Sequence, residues 1–403
     1  MTASEDVPVI PEHIDPDLVL YLPIGRGVST ERLPHEIAAE IHRDFPRGFY
    51  APNLMNGGGW VFPRVEDQRK IWLDTEHFSS QVIQPFAAMA GGDWNMIPVE
   101  QDPPRHTRYR KLLNPLFTPK ALAPLNDKIR DYARRDIAKF ADQGNCEFMH
   151  EFAFAFPIKI FLEMMDMPTE RAEEFLDWEM NMMRAESIDV VADAVRATVD
   201  YLQAEIDARR GKKREGFISF ALDAEIDGEK LTESEVMGLC FNLFLGGLDT
   251  VSAHLGHIFR YLAENQDDQT RLRENPELID RAIDEMMRAF GGVTITRTCV
   301  KPTSIAGVPI RAGERVALST ALAARDPLEY DEPNKIDFNR QSRPLSFGTG
   351  PHLCVGIHLA KREMRCAIEE FFIAIPQFRL AHGARIESDL GTIMMPLKLH
   401  LEW

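Results

Sequence analysis

The chain has 403 residues, 44% of them hydrophobic, with 63 acidic against 46 basic side chains and a formal charge of −17. That is enough apolar sequence to bury a large core and a sizeable ligand, and the acidic balance excludes nucleic-acid binding as a global property. Its five cysteines (Cys146, Cys240, Cys299, Cys354, Cys366) are widely spaced with no C-x-x-C pair, which argues against a disulfide framework or a zinc site and points to a reducing compartment. The acidic start from Met1 to Asp6 has no apolar leader, and no run of about 18 apolar residues occurs. The expectation is a soluble, cytoplasmic protein without a membrane span. No repeat, linker or low-complexity stretch divides residues 1–403, which are expected to form one domain.

In chain order, Asp102 to Arg110 places His106 and Arg110 four residues apart on one helical face. Met164, Met165 and Met167, then Met180, Met182 and Met183, suit either core filling or an adaptable cavity wall and lid. Arg209 to Arg214 reads as an exposed helix end and loop. Thr232-Glu233-Ser234-Glu235 is a capping box. It opens a long helix through Val236, Leu239, Cys240, Leu243, Phe244, Leu248 and Val251. In its middle, Gly246 and Gly247 each cost about 1 kcal/mol relative to alanine, which fits close packing against a helix or a ligand pressed on the backbone. Asp249 and Thr250 follow at once. Asn275-Pro276 reads as an N-cap with proline at the first helical position. The helix it opens carries Glu285 and Arg288, a spacing that alone would make a solvated surface pair. Thr294 to Thr298 reads as a strand and includes Arg297.

The most informative stretch runs Phe347-Gly348-Thr349-Gly350-Pro351-His352-Leu353-Cys354-Val355-Gly356. Apolar spacing from Ile357 to Ile375 predicts a helix just after it. Helix-end charge and inward N–H groups there are expected to lower the Cys354 pKa. Gly348, Gly350 and Gly356 permit positive φ and let the backbone approach something flat. A lone cysteine is more often an inert buried thiol. The whole pattern, F-G-x-G-x-H-x-C-x-G, resembles the haem-binding signature of cytochrome P450 monooxygenases. The likeness runs along nearly the whole chain and is nearest to the bacterial camphor 5-monooxygenase class: His77-Phe78-Ser79-Ser80, Pro85-Phe86 to Pro98, Phe156-Pro157-Ile158, Phe338-Asn339-Arg340-Gln341 and Leu359-Ala360-Lys361-Arg362-Glu363 are similar in order and spacing.

The resemblance implies a mainly α fold with small β-sheets and a long central helix over a buried haem b. It makes Cys354 the axial iron ligand, and it sets Phe347, Gly348, Gly356, Gly246 and Gly247 against the cofactor. His106, Arg110, Arg297 and His352 fall at propionate-binding positions. Asp249 and Thr250 become a proton relay beside a local kink. Glu285 and Arg288 become a buried ion pair, with Arg340 or Arg343 as third member. Phe86, Trp94, Asn242, Leu245, Gly291, Gly292 and Val293 fall where the family contacts substrate. Small residues at 291 and 292 would enlarge the pocket, and Trp94 stands where camphor hydroxylases place a ketone-binding tyrosine. A terpenoid or norisoprenoid ketone of the ionone type is therefore the expected substrate. No G-x-G-x-x-G follows a predicted strand, so electrons are expected from a [2Fe–2S] ferredoxin and its NADH-dependent flavoprotein reductase. Arg108, Arg110, Arg343, Lys361 and Arg362 offer a basic dock, on a monomeric enzyme. The rival reading is a non-catalytic haem-thiolate sensor, which would not need Asp249 and Thr250.

Overall fold

The computed structural model describes residues 10–403 apart from 26–27, 55–56, 82–84, 213 and 342. The acidic start and Lys213 therefore lie outside the described residues. Helices dominate, and the strands are short and gathered into small sheets.

The capping box forms as the sequence predicts. Thr232 Oγ1 accepts from the Glu235 N–H at 3.2 Å, and Glu235 Oε2 accepts from the Thr232 N–H at 2.8 Å. Two orphan donors at the helix start are thereby satisfied. The central helix then runs unbroken from Glu233 to Glu264. No interruption occurs at Gly246-Gly247; instead the Thr250 hydroxyl donates to the Gly246 carbonyl at 3.2 Å, a bond that tends to bend a helix without ending it.

Each half of this helix serves a different core. Val236 to Leu248 packs with Phe161, Phe175 and Leu202, whereas Val251 to Ala263 packs with Phe148, Phe152 and Phe371. Phe148 stacks on Phe259 with centroids 4.3 Å apart. Each such ring, fully buried, stabilises the fold by about 1.5–3 kcal/mol. The helix is also long and apolar enough to cross a membrane, but 67% of its apolar window is buried by the rest of the chain, as suits a core helix.

The largest sheet has the order Phe49–Ala51, Gly59–Val61, Arg315–Ser319, Thr294–Cys299, Phe78–Ser79. Its middle pair is antiparallel, with Val316 opposite Arg297. This register turns Arg297 inward, where the residue is 3% exposed.

Helix Ile279–Ala289 anchors the opposite side. Asn275 stands at the N-cap position and Pro276 opens a 3-10 turn, Pro276–Leu278, that runs straight into the helix, but the Asn275 side chain makes no cap bond and instead donates back to the Arg271 carbonyl at 2.9 Å. Glu285 and Arg288 are both buried and joined at 2.7 Å. Arg340, not Arg343, is the third member, donating to Glu285 Oε1 at 3.1 Å. The Asp337 N–H adds a bond to the same oxygen, and Arg288 also holds the carbonyls of Ala324, Pro333 and Lys335. The pair thus ties helix Ile279–Ala289 to the segment that leads into the cysteine loop.

Candidate active site

A cavity of about 320 Å³ lies between the central helix and the cysteine loop. Asn242, Gly246, Gly247 and Thr250 form one wall, and Phe347, Gly348, His352, Cys354 and Gly356 form the other. Gly348 (φ 69°) and Gly350 (φ 67°) take left-handed conformations; a Cβ on Gly348 would sit 3.1 Å from Trp72 Cη2. Gly356 is different, with φ −82°. It needs no glycine-only conformation, so its small size alone matters there.

The Cys354 N–H donates to the Phe347 carbonyl at 2.9 Å, which folds the loop back on itself. Helix Ile357–Ala374 begins three residues later. Cys354 lines the cavity. Burial raises its pKa above the ordinary value; the N–H groups of Gly356 and Ile357 and the Arg110 charge pull it down without prevailing. Desolvation of the thiolate is the largest contribution, ahead of the pull of those N–H groups and of Arg110.

Four basic side chains gather on one side: His106, Arg110 and His352 line the cavity, and Arg297 does not but lies over Trp72, which does. His106 is 2% exposed and neither ring nitrogen has a hydrogen-bond partner. Its ring lies 4.2 Å from that of His352, whose Nε2 meets Ser80 Oγ at 3.0 Å. Arg110 donates to the Leu353 carbonyl at 2.6 Å. Arg297 lies 4.9 Å over the Trp72 ring, and its Nη2 is buried with no partner. Burial, aided by Arg110 and Arg297, lowers His106 to about 4, and burial lowers Arg297 to about 10. His352 is lowered by burial, then by Arg297, His106 and Arg110. Two guanidinium charges beside two neutral imidazoles, with donors left unpaired, are suited to receive anions. A thiol facing the same space, glycine-thinned walls and two carboxylates' worth of waiting donors fit haem with its two propionates.

Asp249 does not face this cavity. Arg184 Nη2 holds it at 2.7 Å, and Arg184 Nε also reaches Asp389 at 3.1 Å. Glu179 completes the buried group; burial and then the Asp249 charge raise its pKa well above the carboxylate range. Thr250 does line the cavity.

Several expected substrate contacts lie elsewhere. Asn242 and Val293 line the cavity, but Phe86, Trp94, Leu245 and Gly292 do not. Phe86 and Trp94 pack on Phe241 at 5.7 and 4.6 Å. Cβ atoms on Gly291 and Gly292 would sit 2.7 Å from the Thr320 carbonyl oxygen and 2.9 Å from that of Met394, so these glycines admit backbone, not ligand. Met164 and Met165 line the cavity, whereas Met167 and Met182 are core and Met180 and Met183 pack against it. Arg209 is 2% exposed and pairs with Glu205, against its reading as a surface cation. The basic dock is also partly engaged: Lys361 pairs with Asp284, Arg108 with Asp227, and Arg362 with the Leu122 and Pro119 carbonyls.

Trp72 and Arg184 are among the site residues that the sequence reading does not single out. Trp72 lines the cavity with its indole N–H unpartnered, and Arg184 restrains Asp249. Neither belongs to a recognisable spacing.

The cytochrome P450 family model matches residues 175–380. The chain is 37% identical to the probable cytochrome P450 127A1 of Sinorhizobium fredii, covering 98% of this chain and 97% of that one. It is 32% identical to the erythromycin C-12 hydroxylase of Saccharopolyspora erythraea, over 84% and 89% of the two chains. The crystal structure of CYP101J2 superposes with a TM-score of 0.88 at 31% identity, covering 98% of this chain and 99% of that one. CYP101C1 gives 0.87 at 29% identity, covering 98% and 100%. Fold and relatives together define a haem-thiolate monooxygenase. The chain belongs to the cytochrome P450 family, whose cofactor is haem b and whose solved members similar to this chain include two of the CYP101 group.

Proposed function

We propose that this enzyme hydroxylates a compact terpenoid or norisoprenoid ketone of the ionone type, using O₂ and two electrons from a [2Fe–2S] ferredoxin served by an NADH-dependent flavoprotein reductase. The observation that carries the substrate class is the predominantly apolar cavity with Asn242 as a polar handle on its wall. A ketone oxygen meets the Asn242 amide while Val293 and Met165 enclose the hydrocarbon. The likeness to two CYP101 structures supports the ferredoxin assignment. Five unpaired cysteines support action in a reducing cytoplasm.

Cys354 would hold the haem iron through its thiolate. His106, Arg110, Arg297 and His352 would hold the propionates, and Gly246, Gly247, Phe347, Gly348 and Gly356 would make room for the ring. Bound haem supplies oxygen activation, favoured by electron donation from the thiolate. Thr250 presents its hydroxyl to the cavity, and Asp249 re-supplies the proton once its carboxyl turns away from Arg184.

The test is the carbon monoxide difference spectrum of the dithionite-reduced protein, followed by titration of the ferric form with ionones and camphor. A red-shifted thiolate band with a spin shift for ionones supports both levels of the proposal. Efficient camphor turnover with no ionone binding would sink the substrate class, and loss of the thiolate band in wild-type, haem-loaded protein would sink the Cys354 assignment.

A further inference from the structure

A second cavity, of about 130 Å³, shares no lining residue with the first. It lies between helix Pro34–Asp44, the C-terminal half of the central helix, and the segments bearing Phe290 and Arg325. Two guanidinium groups wall it. Arg260 is 9% exposed and Arg325 2%, and Arg260 Nη1 and Arg325 Nε are buried with no hydrogen-bond partner. Their other bonds are few: Arg260 Nε reaches Glu264 Oε1 at 3.2 Å, and Arg325 Nη1 reaches the Pro333 carbonyl at 2.7 Å. Glu264 is the one carboxylate among the lining residues, and its side chain is 36% exposed. Glu285, behind Arg325, is already held by Arg288 and Arg340. His35 and His257 complete the polar wall; both are held neutral by burial first, with the charges of Arg260 and Arg325 adding.

Buried guanidinium N–H groups without acceptors are costly, and one carboxylate at the rim does not balance two enclosed cations. An ion with several oxygens would satisfy both donors at once. We propose that this cavity binds one small oxyanion of the phosphate type between Arg260 Nη1 and Arg325 Nε. Residues 35, 260 and 325 are far apart in sequence, so the ion joins the N-terminal helix, the central helix and the loop that supports Glu285.

The haem-loaded protein is used, so that the cofactor's own cations are covered. It is titrated with inorganic phosphate against chloride at constant ionic strength, by calorimetry and thermal unfolding; glycerol 3-phosphate forms a parallel arm that separates a free ion from a phosphomonoester. Phosphate stabilises the wild type saturably and chloride does not. Arg260→Gln weakens the phosphate affinity by roughly tenfold, the loss of one charge-assisted bond. Glu264→Gln removes the competing carboxylate and tightens it, which keeps the test open should Arg260→Gln fail to fold. No saturable response, or one unchanged in both variants, overturns the site. A response to glycerol 3-phosphate alone overturns the free-ion assignment.

Discussion

Asp249 sits beside Thr250 in sequence, yet its carboxyl faces Arg184 and not the cavity. Substituting Thr250 by alanine should therefore leave haem content and the substrate spin shift intact while diverting reducing equivalents to peroxide. The ratio of peroxide to product per NADH measures this, and tight coupling in the mutant would contradict the relay. The buried His257 and the partly buried His35 set an acid limit on the fold. Burial lowers His35 and His257 from 6.5 to about 3, so the folded state binds fewer protons than the unfolded chain between those values. Their contribution is complete above the unfolded pKa and is lost as pH falls toward the folded one, by at most about 1.4 kcal/mol per pH unit for each histidine. Urea unfolding in phosphate-free buffer from pH 7 to 5 should show this fall, and His257→Gln should flatten it. At this scale the sequence was readable where a motif was continuous: Cys354, His352 and Gly348 share one loop. His35, Arg260 and Arg325 share only a cavity, and no spacing links them.

Among the elements, the capping box and the Glu285–Arg288 pair were legible because their partners lie three residues apart on one helix. Whether that pair was solvated or buried was not legible; packing decides it. Buried as it is, Glu285→Ala should cost about 3–5 kcal/mol by leaving Arg288 unpaired. Soluble yield and haem content report the loss. Gly291 and Gly292 are ambiguous in the sequence for a related reason. A missing side chain reads the same whether it admits ligand or backbone, and only the Thr320 and Met394 carbonyls show which. Gly291→Ala should consequently lower stability by about 1–3 kcal/mol and leave the substrate preference unchanged, as thermal unfolding and a substrate panel would show.

For the whole molecule, the proposed dock for a ferredoxin narrows once pairing is counted. Lys361 and Arg108 already have carboxylate partners, while Arg343 is exposed ahead of the cysteine loop. Arg343→Glu should slow ferredoxin association severalfold at low salt, with the difference vanishing at high salt as screening removes steering. Stopped-flow reduction across ionic strengths reads both. The fold class was readable because helical periodicity and the cysteine loop carry it locally; the exclusion of Phe86 and Trp94 from the cavity was not, since the fit of their rings against Phe241 is a property of the assembled core.

The central helix carries Asn242, Gly246, Asp249, Thr250, His257 and Arg260 on a single rod of 32 residues, about 48 Å long at 1.5 Å per residue. One residue inserted between Leu248 and Asp249 would rotate every later side chain by about 100°. Thr250 would leave the substrate cavity and Arg260 would leave the second cavity in the same event. Insertions and deletions are thus barred from this stretch by geometry alone, and the two cavities can diversify only by substitution.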